Sequence, residues 1–187
     1  MGELLKSLLG PLVMLCLAGG PLRASAQDWT TYEGKAPLTM QYPSTWSAQE
    51  WQALPSTVEP TMRADLQALV ATLGIPEMMG MDHTAMIAQS PFMTPLLHLQ
   101  GLNGEEVIAG VEVPPMAGMS GMMHVMIGPY LNKDPVGDSS DGINKTRLHL
   151  AIGASGIGVL FMAAPKAIFD QVNTQVFDKM SRSFAAK

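Results

Sequence analysis

Two short stretches of this chain combine thioether sulfur with imidazole at close spacing. The first is Met78-Met79-Gly80-Met81-Asp82-His83-Thr84-Ala85-Met86, and the second is Met116-Ala117-Gly118-Met119-Ser120-Gly121-Met122-Met123-His124-Val125-Met126. Ten of the sixteen methionines lie between Met78 and Met126. A thioether is a soft ligand suited to Cu(I), and unlike a thiolate it binds without losing a proton. One candidate ligand set is therefore Met116, Met119, Met122, Met123, His124 and Met126. A second is Met78, Met79, Met81, His83 and Met86. The same side chain is also adaptable apolar filler, in a core or on a surface that receives a partner. Soft-metal binding, structural packing and a partner surface all fit these residues. Gly80, Gly118 and Gly121, with Pro76, Pro114 and Pro115 nearby, argue against regular helix in either segment. Methionines clustered on an exposed loop suit a binding surface better than a core.

Signatures of other chemistry are weak. Gly153-Ala154-Ser155-Gly156-Ile157 lacks the last glycine of a nucleophile elbow, and it lies between two strand-like runs. The same stretch is not a dinucleotide fingerprint, because no strand-to-helix passage follows it. No His-Glu-x-x-His zinc motif and no phosphate loop occur. Glu105 and Glu106 are sequence neighbours on a strand, so their side chains point to opposite faces and make poor acid–base partners. His98 and His149 fall opposite the apolar positions of their strands, where polar-face residues are expected. A pairing of the two across the sheet is the alternative. A catalytic triad assembled from distant residues stays open as a hydrolase reading.

The elements that must position these residues show in the apolar pattern. Leu38-Thr39-Met40-Gln41-Tyr42 alternates as a half-buried strand does, and Pro43-Ser44 ends it. Val58, Met62, Leu66, Leu69, Val70 and Leu73 make one helical stripe, with Pro60 in the first turn, Gly74 at the C-terminal stop and Pro76 beyond. Leu97 and Leu99, then Val107, Ala109, Val111 and Val113, predict a hairpin around Asn103-Gly104. Leu148, Leu150 and Ile152, then Ile157, Val159 and Phe161, predict a second around Gly153–Gly156. Residues 133–142, rich in Asp, Ser, Gly and Pro, read as an exposed loop. A last helix runs from about Pro165 through Ile168, Phe169, Val172, Val176, Met180 and Phe184. The result is α+β, an antiparallel sheet covered by helices, in one domain over 27–187 with Met-rich segments at 78–93 and 116–126.

Residues 1–26 read as a secretory signal peptide. Lys6 precedes an apolar run from Leu8 to Leu17, and Ala24-Ser25-Ala26 offers a cleavage site before Gln27. Leu15 before Cys16 argues against lipidation. Without this segment the chain has no cysteine, hence no disulfide and no thiolate ligand or nucleophile. Dropping Glu3, Lys6 and Arg23 leaves nine basic and fifteen acidic residues, a net charge of −6 with no basic run. Nucleic acid is therefore an unsuitable partner, and a periplasmic or secreted location is expected. Asn144-Lys145-Thr146 is a glycosylation sequon, read as incidental. Trp29, Trp46 and Trp51 read as anchors of the core edge, with an aromatic binding site as the alternative.

Trp29-x-x-Tyr32 followed by Leu38-Thr39-Met40-Gln41-Tyr42-Pro43-Ser44-Thr45-Trp46 resembles the opening of PsbP-like and Mog-like domains. Ala164-Pro165, Phe169 and the closing Ser181-Arg182-Ser183-Phe184 look like their final strand pair and last helix. The resemblance covers both ends of the mature chain better than its middle. It implies an α/β/α sandwich with an antiparallel central sheet, used for binding or assembly and seldom for catalysis. That family shares no catalytic residues, so none is carried over, and the Met-rich middle departs from its pattern. The function expected is a non-enzymatic periplasmic binding or assembly factor that meets a partner through its Met/His surface. The alternatives are a Cu(I)-handling protein and a hydrolase with unrecognised catalytic residues.

Overall fold

The structure is a computed structural model that describes residues 27–75, 87–112, 125 and 127–187. Its frame is one six-stranded antiparallel sheet. The strands are β4 (Ser47–Trp51), β5 (Leu96–Gln100), β6 (Glu106–Glu112), β7 (Val136–Asp138), β8 (Asn144–Ile152) and β9 (Ile157–Pro165). Their order across the sheet is β4-β5-β6-β9-β8-β7. Three short strands precede them, β1 (Trp29–Thr31), β2 (Leu38–Thr39) and β3 (Gln41–Pro43), and β10 (Ala185–Ala186) closes the chain. These pair only among themselves, β1 with β3 and β2 with β10. Leu38–Tyr42 thus keeps its apolar alternation but breaks at Met40 and stays out of the main sheet.

Both expected hairpins form. Leu97 pairs with Ala109 across β5 and β6, and Leu150 pairs with Val159 across β8 and β9. Gly104 has φ +89°, a conformation that only glycine adopts at little cost. The helix α1 (Glu59–Thr72) carries Pro60 in its first turn and ends before Gly74, at φ +65°. Its Met62, Leu66, Leu69 and Val70 pack on Leu96, Ile108, Leu148, Leu150 and Phe161, one face of the sheet. The other face, with Leu97, Leu99, Val107, Leu160 and Met162, lies under a C-terminal helical run. That run has three parts, α2 (Phe169–Val172), a π turn (Asn173–Phe177) and α3 (Asp178–Ser183). The described helices therefore flank the sheet on both sides, and the fold is α+β. No described helix is long and apolar enough to cross a membrane.

This two-sided burial corrects three expectations. His98 and His149 are not solvent-facing strand residues; each is 7 % exposed. Nor do they meet, because His98 shares the α1 face with Leu148, whereas His149 projects to the C-terminal face. Residues 133–142 are not simply an exposed loop. They include edge strand β7, and Ser139 is buried against α1, its hydroxyl donating to Asp65 Oδ2 at 2.6 Å. The last helix has the expected apolar stripe, but the π turn inside it buries Phe177 as well.

Candidate functional site

The eleven Met and His residues singled out by the sequence lie outside the described residues: Met78, Met79, Met81, His83, Met86, Met116, Met119, Met122, Met123, His124 and Met126. The described residues that flank them share one neighbourhood. Ile87 follows the first segment, and Glu112 precedes Val113 at the end of β6. Phe92 bridges to Glu112, and the Met93 amide donates to the Val111 carbonyl at 2.7 Å. Arg63 of α1 donates to the Ala88 and Ser90 carbonyls at 3.0 and 2.9 Å and lies over the Phe92 ring. Glu112 itself is 2 % exposed, and neither carboxyl oxygen has a hydrogen-bond partner among the described residues. Burial pushes its pKa well above the usual carboxylate value, with the Arg63 charge only partly opposing.

A second cluster forms where β8 meets the C-terminal run. Strand alternation places Arg147 and His149 on one face, two residues apart, while Leu148 and Leu150 enter the opposite core. Arg147 is 7 % exposed and pairs with Asp134 through Nη2. Its Nη1 reaches both Asp178 Oδ1, at 2.5 Å, and Asn173 Oδ1, at 2.7 Å. Its Nε is buried without a partner among the described residues. Asp134 Oδ1 takes the Nδ1 of His149 at 2.7 Å.

Two local backbone features make this convergence possible. Asn132 and Asp134 have φ +69° and +42°, a left-handed conformation that Asn and Asp tolerate better than other side chains. It follows the 3₁₀ turn Gly128–Tyr130, ahead of edge strand β7. The π turn does the rest. In an α-helix, positions five apart point about 140° away from each other. An i→i+5 turn stacks them instead, which brings Asn173 and Asp178 to the same guanidinium nitrogen.

Burial alone would raise Asp134, but hydrogen bonds from His149 and Arg147, with the Coulombic pull of both, hold it below its ordinary 3.8. Asp134 is thus an anion that accepts from His149 Nδ1–H, which in the neutral form of the ring places the single proton on Nδ1. Nε2 is then the free nitrogen, with no protein partner among the described residues. A cavity of about 590 Å³ opens here, lined by the polar Asp134, Arg147, His149, Asp178, Ser181 and Arg182 and on its apolar side by Ala151 and Phe184. That volume falls within the range of small-molecule sites. Ser181 turns its hydroxyl toward Met162 Sδ, at 4.0 Å, and no described hydroxyl hydrogen-bonds His149. Among the described residues, no group of three or more His, Cys, Asp or Glu is placed to hold a metal ion.

The sequence carried one signal for this site, the alternation Arg147-Leu148-His149-Leu150, which puts a cation and an imidazole on one strand face. Asp134, Asn173 and Asp178 gave none, since loop geometry and a π turn deliver them. The tryptophans form no common site: Trp46 is buried on the C-terminal face, and Trp51 stacks on His98 on the α1 face, with centroids 3.9 Å apart. The sequon Thr146 is 1 % exposed. No protein-family model matches the chain, and no curated protein or solved structure is significantly similar to it.

Proposed function

We propose that this protein is an exported, non-enzymatic binding or assembly factor of PsbP-like, α/β/α type. Its described ligand site is the cavity between β8 and the C-terminal run. One observation carries this reading: a buried guanidinium is locked by Asp134, Asn173 and Asp178 beside a cavity of ligand size, leaving His149 Nε2 free. Burying such a charge network is costly unless it is fully paired. Its rigidity keeps the wall of a binding pocket in place before a ligand arrives. Export follows from the apolar run and small-residue cleavage site within 1–26.

The Met/His segments form a second surface in this reading, for a periplasmic protein partner. What supports joint action is the common anchorage of their flanks through Arg63, Phe92 and Glu112. Cu(I) is the alternative occupant of that surface. Replacing Met116, Met119, Met122 and Met123 with leucine keeps apolar area and removes sulfur. Partner capture from a periplasmic extract should survive the change, while Cu(I) competition against a chromogenic chelator should not.

The pocket is tested by thermal-shift screening of the purified protein against small amines, carboxylates and phosphates, with His149→Ala alongside. At least one class should raise Tm in the wild type and not in the variant, because a ligand that binds only the folded state stabilises it. A flat response to every class would remove the pocket from the account.

A further inference from the structure

Resting on the pocket reading above, we infer that the cavity takes a primary ammonium group carrying an apolar substituent, bound between His149 Nε2 and the free oxygen of Asp178. Charge and hydrogen-bond direction both select this class. Two carboxylates, Asp134 and Asp178, face one guanidinium, Arg147, so the network carries one negative charge when His149 is neutral. Both terminal nitrogens of Arg147 already serve Asp134, Asn173 and Asp178 and its remaining donor, Nε, is buried, so it turns no free fork to the cavity to clamp a carboxylate or phosphate.

Apart from the exposed Arg182, the unspent groups of the network that face the cavity are acceptors. His149 is 7 % exposed, lines the cavity and has Nδ1 committed to Asp134, so in the neutral ring the lone pair is on Nε2. Asp178 uses Oδ1 on Arg147; its Oδ2 has no partner among the described residues, and its side chain is 37 % exposed toward the opening. An ammonium donates to both and restores the missing positive charge. Ala151 and Phe184, which belong to the C-terminal face, line the same cavity and suit an alkyl or aryl substituent. Among the described residues, Arg182 is the one lining cation without a carboxylate partner, and it lies on the exposed side of α3. Its charge is largely screened by water.

Isothermal titration of the purified protein with phenethylamine, 3-phenylpropionate and inorganic phosphate separates the possibilities, since the first two share a shape and differ in charge. Phenethylamine should bind saturably, with Asp178→Asn weakening it about tenfold or more, as loss of a charge-assisted hydrogen bond does. Arg182→Gln should tighten amine binding by removing a like charge, and this readout stands even if the Asp178 variant fails to fold. Binding of phenylpropionate or phosphate in place of the amine would overturn the inference and leave the pocket reading intact. Amine binding unchanged in Asp178→Asn, or weakened in Arg182→Gln, would also overturn it. No binding by any probe would remove both.

Discussion

Glu112 offers a test whose size follows from its surroundings. It sits at the end of β6 with 2 % of its surface exposed and, among the described residues, no hydrogen-bond partner for either oxygen. The unfolded chain releases this proton near the ordinary 4.5, whereas burial makes the folded chain hold it to well above that pH. The folded state therefore binds more protons than the unfolded state across the intervening window. Stability is full below 4.5 and falls as pH rises toward the folded value, at about 1.4 kcal/mol per pH unit. For a chain of this size that is about 3–6 °C in Tm per unit. Glu112→Gln keeps the shape and removes the titration. Differential scanning calorimetry from pH 4.5 upward should show the two proteins converging at the acid end. The variant should gain on the wild type as pH rises, and the difference should level off once the wild-type carboxyl has ionised. Other titrating groups are common to both proteins and cancel in the comparison. Parallel Tm curves would mean that Glu112 is solvated or paired, and the burial argument would be wrong.

Arg147→Met should cost about 3 kcal/mol, the low end for removing one partner from a buried pair, because Asp178 stays partly hydrated at 37 % side-chain exposure. Urea unfolding should report that loss as a lower midpoint with an unchanged slope. Gly156→Ala should cost about 1–3 kcal/mol, since a Cβ there runs into the Glu112 carbonyl oxygen, which is backbone and cannot step aside. Gly128→Ala, whose Cβ meets none of the described residues within 4 Å, should stay within about 0.5 kcal/mol of wild type in the same measurement.

Periodicity made the main helices and both hairpins legible, because one face of each had to be apolar. It worked best for α1, where Met62, Leu66, Leu69 and Val70 repeat at helical spacing and all are buried. It misled at His98 and His149, since a polar residue between apolar ones reads the same whether water or an ion partner meets it. Here His98 has Glu106 at 2.9 Å and Trp51 stacked on its ring, and His149 has Asp134. Asp65 was invisible for a related reason: it interrupts the apolar stripe of α1, yet it is 4 % exposed and accepts from the Ser139 hydroxyl and the Ser140 amide. The candidate pocket depends on a left-handed Asp134 and on a π turn that stacks residues five apart. Neither leaves a pattern in residue types. Arg147 and His149 could be placed on one strand face from sequence, but not their counter-ions.

The most direct measurement of the pocket is the ring nitrogen spectrum of His149 during a titration with phenethylamine, by long-range ¹H–¹⁵N NMR of the purified protein. A proton on Nδ1, held by Asp134, and an Nε2 resonance that moves saturably with the amine are the predicted result. An Nε2 resonance that ignores amines and anions alike, or a proton found on Nε2 in the free protein, would contradict the account.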